Sequence, residues 1–193
     1  MARPPFVLAS ASPRRLALLR QAGIEPDAVE APHVSEAPLK DEKPAALARR
    51  LAEAKARAVA PHHKGAFVLA ADTVVAVGRR VLPKAEDTDT AKRCLGLLSG
   101  RRHRVYGGVC VISPSGEARS RVVETHVAFK RLTEAEIQAY LESKEWADKA
   151  GGYAIQGRAA LFVRALRGSY TNVVGLPLFE AAALLKGLGR GEG

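Results

Sequence analysis

The sequence predicts an α/β fold, a mixed twisted sheet with flanking helices arranged as two lobes around a cleft. Three observations lead there. Short apolar or β-branched runs alternate with stretches of helical periodicity from about residue 6 to residue 188. One long antiparallel hairpin, Arg104 to Ile112 and Arg121 to Phe129 about Pro114-Ser115-Gly116, departs from a purely parallel alternation. No repeat or low-complexity linker divides the 193 residues, of which 47% are hydrophobic and 26% charged, enough for one buried core. A single domain over residues 1–193 is expected, with a core from about 6 to 188 and a frayed tail from 189 to 193.

Each element has its own signal. Phe6 to Ala9 is an apolar run that gives way to Ser10-Ala11-Ser12-Pro13-Arg14-Arg15 as a helical pattern begins. Ser12 is expected to cap that helix, Pro13 suits its first position because the missing N–H would be unpaired anyway, and Gly23 ends it. Residues 27 to 31 read as a short strand and 32 to 43 as a polar loop. Pro44 opens a long Ala-rich helix to about Ala60. Phe67 to Val77 is a buried-strand run that Asp72-Thr73 is expected to interrupt, and Gly78-Arg79-Arg80 turns it into Val81-Leu82. Thr88 to Leu98 is amphipathic and closes with Ser99-Gly100; Thr133 with Glu136 forms a capping box for a helix reaching Glu142. Residues 160 to 166 suggest a last strand, and Pro177 starts a final helix ending near Leu188.

Composition removes several classes of function. A formal charge of +10 and a pI near 10.0 invite nucleic-acid binding, yet the cations are scattered, the densest group being Arg101-Arg102-His103-Arg104. Aromatic residues, at 5%, offer few stacking platforms, so no specific nucleic-acid partner is expected and a polyanionic small molecule fits better. No apolar stretch nears the roughly 20 residues needed to span a bilayer, and Phe6 to Ala11 followed by arginines makes a poor secretory signal. A cytoplasmic protein with no membrane partner follows. Cys94 and Cys110 lack zinc spacing and read as reduced structural thiols, while His62-His63, after Pro61, is expected to be exposed. The absence of G-x-S-x-G, G-x-x-x-x-G-K-[ST] and G-x-G-x-x-G argues against serine hydrolase, P-loop and Rossmann readings.

What remains points to phosphate chemistry. Helix-start amides together with Ser10, Ser12, Arg14 and Arg15 make an anion site at the end of a strand, where α/β sheets bind ligands. Asp72 is the most suspicious acid, a carboxylate inside Leu-Ala-Ala-Asp-Thr-Val-Val that needs a reason to be there. With Glu36, from the 32–43 loop, it could hold Mg²⁺ or Mn²⁺, hard cations that take few carboxylates and complete their shell with water and substrate phosphates. Lys55 and Lys84 are weak signals singly. Counted with Arg14 and Arg15 they give four cations to set against a triphosphate. In Gly151-Gly152-Tyr153-Ala154-Ile155-Gln156-Gly157, glycines let the backbone approach a ligand and Gln156 presents an amide donor beside a carbonyl acceptor, the pattern of a base-recognition loop.

Four ordered motifs, Ser-Ala-Ser-Pro-Arg-Arg (10–15), Ala-Asp-Thr-Val-Val (71–75), Asp-Lys-Ala-Gly-Gly-Tyr-Ala-Ile-Gln-Gly (148–157) and Gly-Ser-Tyr-Thr-Asn-Val-Val-Gly-Leu-Pro-Leu (168–178), closely resemble the Maf family. The resemblance implies a fold similar to inosine triphosphatase and a cytoplasmic, metal-dependent hydrolase that splits a nucleoside triphosphate into monophosphate and pyrophosphate. Members have also been linked to inhibition of septum formation, and a homodimer is common among them. Carried over by position, it implies that Asp72 is the general base, that Arg14, Thr73 and Gln156 set specificity, and that Lys55, Lys84 and Glu36 belong to the same cleft. The Gln-Gly ending resembles the branch that prefers dTTP and UTP; a sister branch favouring methylated GTP carries Glu there. Relatives often show two adjacent acids where this chain has Ser35-Glu36. The alternative is a non-catalytic nucleotide-sensing regulator of cell division, which would need the cations but not Asp72.

Overall fold

A computed structural model describes residues 3–191. Seven strands form one sheet in the order β2-β1-β3-β5-β6-β7, with β4 beside β3. β1 (Phe6–Ala9) lies parallel to both β2 (Ala28–Glu30) and β3 (Phe67–Val77). β4 (Arg80–Leu82), β5 (Arg102–Ile112), β6 (Ala118–Phe129) and β7 (Val163–Arg167) all pair antiparallel to their neighbours, so the sheet is mixed as the hairpin requires. The helices are α1 (Pro13–Gln21), α2 (Pro44–Val59), α3 (Thr88–Leu98), α4 (Glu134–Glu142), α5 (Tyr170–Val174) and α6 (Leu178–Gly187).

Alternation along the strands divides the apolar residues between two faces. On one face, Val7, Ala9, Val68, Ala70, Cys110 and Ile112 pack under Ala52, Ala56 and Val59 of α2, and Val74, Ala76 and Tyr106 pack under its Leu47, Ala48 and Leu51. The other face carries the larger core, where Phe6, Leu8, Leu69, Val105 and Val109 meet α1, α3, α4 and α6. Cys94 and Cys110 are free, buried thiols, one on each side, and burial pushes Cys110 up to about 11. The capping box of α4 forms as expected, Thr133 accepting from the Glu136 amide and Glu136 from the Thr133 amide.

Several expectations need correcting. Asp72 and Thr73 do not interrupt β3, which runs unbroken for 11 residues. What ends there is its neighbour: β1 pairs with β3 only as far as Ala9↔Ala70, and β4 takes up pairing at Val75↔Leu82. Between those points β3 has an open edge. The strand expected over 160–166 starts later, because Arg158–Phe162 forms a 3-10 turn before β7. α5, only 5 residues long, carries too short a pattern to be read from periodicity. Of the tail expected from 189 to 193, Arg190 is buried with its guanidinium 4.4 Å over the Phe6 ring, and residues 192 and 193 lie outside the described residues.

The pair Gly107-Gly108 brings α2 and α5 down onto the sheet. A Cβ on Gly108 would stand 2.0 Å from the Ala48 carbonyl oxygen, and one on Gly107 1.8 Å from Asn172 Oδ1. These two glycines pair across the ladder with Asp72 and Thr73. Asn172 is fully buried and donates to the Val105 and Val123 carbonyls, fastening α5 to β5 and β6.

Candidate active site

The open edge of β3 is the floor of a cleft of about 610 Å³, lined by all ten residues singled out above: Ser10, Ser12, Arg14, Arg15, Glu36, Lys55, Asp72, Thr73, Lys84 and Gln156. It lies just past the carboxyl end of parallel strand β1, the position that α/β sheets favour for ligands. One wall is the β1–α1 turn, the Glu36 loop and α2. The opposite wall is an extended segment after β4 that zips onto residues 148–151, with Ala85 N donating to Lys149 O, Asp148 N to Ala85 O and Gly151 N to Pro83 O. That zipper presents Lys84 on one strand and leads on to Gln156 on the other.

Period-two alternation sends Asp72 and Thr73 to opposite faces. Asp72 points to α2, where Lys55 donates to its Oδ1 at 2.6 Å; both side chains are buried. Lys55, one of the four cations counted from the sequence, is buried because α2 lies low on Gly108. It follows Ala48 by about two turns on the same helix face, and its side chain returns along the helix toward Asp72. Its Nζ is also 2.6 Å from Glu36 Oε1, so one ammonium bridges the two carboxylates. Lys84 bonds the second oxygen of Glu36. Burial alone would push the Glu36 carboxyl upward, but the bonds from Lys55 and Lys84 override it and hold the group down at about 2. The loop carrying Glu36 is itself held by Arg50 of α2, which donates to the Ala37 carbonyl and to both carboxylate oxygens of Glu42.

Thr73 points to α1, and there Arg15 ties three segments together. Its Nη2 donates to Thr73 Oγ1 at 3.3 Å, its Nη1 to Ser10 Oγ at 3.1 Å and its Nε to the Gly175 carbonyl at 2.8 Å. Arg14 Nε donates to the Val174 carbonyl at 3.2 Å. Burial lowers both guanidinium groups from arginine's usual value, against the pull of Asp148 on Arg14 and of Asp72 on Arg15. The anion site is therefore partly different from the one expected. Ser12 does not cap α1 through its side chain, whose hydroxyl is buried without a partner, and it is Ser10 Oγ that accepts from the Ser12 amide. The four cations are not all free either, since Lys55 and Lys84 are engaged by the two carboxylates and Arg15 by the protein's own acceptors.

The cleft also holds Glu86, which no sequence signal marked, and Lys149, which lies within the 148–157 motif. Asp148, within a quoted motif, is in the left-handed region at φ 58 and lines the cleft as well. Beneath it, Tyr153 Oη lies 2.7 Å from Nε2 of buried His103, and burial holds that imidazole's pKa down at about 4. The exposed reading of His62-His63 holds for His62 and less for His63; both face the Glu30 carboxylate at 2.7 Å. For a divalent ion, Asp72 and Glu36 offer oxygen donors only, and no group of three or more His, Cys, Asp or Glu among the described residues could cage one. Two carboxylates around one ammonium suit a hard cation that draws its remaining ligands from water and substrate, and do not suit a closed structural zinc site. Among the described residues no helix is long and apolar enough to cross a membrane.

Comparison with known proteins narrows the reading. The family model described as Maf-like protein matches residues 5–188. A dTTP/UTP pyrophosphatase of Paramagnetospirillum magneticum is 66% identical over 184 residues, covering 95% of this chain and 97% of the relative. A dTTP/UTP pyrophosphatase of Rhodospirillum rubrum is 62% identical over 185 residues, covering 96% and 88%. Among solved structures, the Staphylococcus aureus Ham1 protein matches 65% of this chain and 71% of its own, at 18% identity and a TM-score of 0.47.

Proposed function

Because the chain belongs to the Maf-like protein family, we propose that it is a cytoplasmic nucleoside triphosphate pyrophosphatase that hydrolyses dTTP and UTP to the monophosphate and pyrophosphate. The observation that carries this reading is the bridging of Asp72 and Glu36 by one buried ammonium, inside a cleft that holds two arginines, a second lysine and Gln156. Carboxylates concentrated among cations are what a site needs in order to generate a nucleophile beside a polyanion.

Asp72 and Glu36 would hold the divalent cation, Mg²⁺ or Mn²⁺, which when bound lowers the pKa of a water and neutralises phosphate charge. Asp72 accepts the proton of the water whose oxygen attacks the α-phosphorus. The bond from that phosphorus to the oxygen bridging the α and β positions breaks, and pyrophosphate leaves with the electron pair. Lys55 and Lys84 exchange carboxylate for phosphate oxygens, and Arg14 adds the guanidinium donors that its Nε contact leaves over. Arg15 acts as the brace that keeps Ser10, Thr73 and Gly175 at fixed separation around the phosphates. Gln156 reads the base through its adjacent donor and acceptor.

The test is product stoichiometry. Incubation of dTTP or UTP with the protein and Mg²⁺ is expected to release monophosphate and pyrophosphate in equal amounts, and chelation to abolish turnover. Orthophosphate with a diphosphate product would refute the assignment.

A further inference from the structure

A side chain that reads a base edge by hydrogen bonds has to be held to within a fraction of an ångström, because a small displacement forfeits the discrimination. Gln156 sits on neither strand nor helix, and what holds its turn comes from α4 and the residues after it. On the N-terminal side, the Ala154 amide donates to Tyr140 Oη at 3.0 Å. The turn closes on itself where the Gly157 amide donates to the Ala154 carbonyl, also at 3.0 Å. On the C-terminal side, the Arg158 amide donates to Glu145 Oε2 at 2.7 Å, the one bond of the three that has a charged acceptor. The ion pair of the same carboxylate with the Arg158 side chain is 3.7 Å long and its Arg158 end is largely exposed, too weak to account for the residue.

Gly157 shows that the turn is built around that carboxylate. A Cβ there would meet Glu145 Oε2 at 2.1 Å and its carboxyl carbon at 2.9 Å. Its φ of −107 lies outside the left-handed region that favours glycine, so it is the carboxylate, and not a positive φ, that the missing side chain accommodates.

We infer that Glu145 is a positioning residue for base selection: it fixes Gln156 through the Arg158 amide, in a gap that Gly157 leaves for it. The inference rests on the proposed role of Gln156. It assigns Glu145 no contact with substrate.

Steady-state kinetics on dTTP and dGTP test it, using the ratio of the two kcat/KM values, which a change in the folded fraction of enzyme leaves unaltered. Glu145→Ala is expected to lower the dTTP-to-dGTP ratio by about tenfold, the worth of one charge-assisted bond, mainly by raising the KM for dTTP while kcat falls by less than about twofold. Glu145→Gln, whose amide oxygen still accepts from Arg158, should keep most of the ratio. Gly157→Ala places a methyl where the carboxylate stands, so it should reproduce Glu145→Ala, and the double variant should fall no further than either single one. A normal ratio in Glu145→Ala, or losses that multiply in the double variant, would overturn the inference. Gln156→Ala separates the two levels. If it collapses the ratio and Glu145→Ala does not, the positioning role fails and base reading stands. If it leaves the ratio unchanged, base reading fails and the inference fails with it.

Discussion

Acid should weaken this fold through one buried imidazole. His103 is 1% exposed, sits edge-on to the rings of Phe129 and Tyr153, and bonds Tyr153 Oη. Burial lowers its pKa from 6.5 to about 4 in the folded chain, so between those values the unfolded chain binds the extra proton. Stability from this residue is thus complete above pH 6.5, falls as the pH drops through that window, and is fully lost below 4. At 1.36 kcal/mol per unit the whole effect is about 3 kcal/mol, most of which is already lost at pH 4.5. Urea unfolding of the native chain and of His103→Phe, each at about pH 7.5 and pH 4.5, measures it. The variant leaves Tyr153 without its partner, a cost of about 1 to 3 kcal/mol that is present at both pH values and cancels in the difference. The native protein is expected to lose about 2 to 3 kcal/mol more on acidification than the variant does. Equal losses would refute the assignment of the acid limb to His103.

Two further variants address the chemistry. Asp72→Asn should fold, because Lys55 keeps its contact with Glu36, yet lower kcat by about a hundredfold or more; near-normal turnover would make Asp72 structural. Gln156→Glu replaces a donor–acceptor pair with acceptors alone, which repel a pyrimidine carbonyl and suit guanine's N–H groups, so kcat/KM for dTTP and UTP should fall far more than for GTP; an unchanged pyrimidine-to-purine ratio would show that Gln156 does not read the base.

Elements with a period or a cap of their own were legible in the sequence: the Pro13 and Pro44 helix starts, the Thr133 capping box and the long hairpin all stand where the residues put them. The ten site residues do share one cleft, because types suited to phosphate chemistry are conspicuous at strand ends and in glycine-rich turns. Their mutual arrangement was not legible. That Lys55 is buried depends on how low α2 rides over Gly108, and that Arg15 is braced depends on the Gly175 carbonyl, which no local pattern links to α1. Asp72 reads as a strand break because the sequence cannot show that β1, not β3, is what stops there. The roles of Glu145 and Arg50, which hold neighbouring loops, and of Asn172, which stands inside the 168–178 motif but fastens α5 to β5 and β6, were not legible because their residue types carry no mark of the contacts they make.

Arg14 and Arg15, in the first turn of α1, have main-chain acceptors 160 residues away in the chain, at Val174 and Gly175. At a ribosomal rate of about 5 to 20 residues per second, that partner segment is made on the order of ten seconds or more after the arginines, whereas a helix forms in about a microsecond. A nascent chain can hold α1, β1 and β3, with Arg15 bonded to Ser10 and Thr73, before it has the Gly175 carbonyl that completes the brace. The cleft is consequently a late product of synthesis, and a chain cut short before α5 carries the acid and the lysines without the frame that makes them a site.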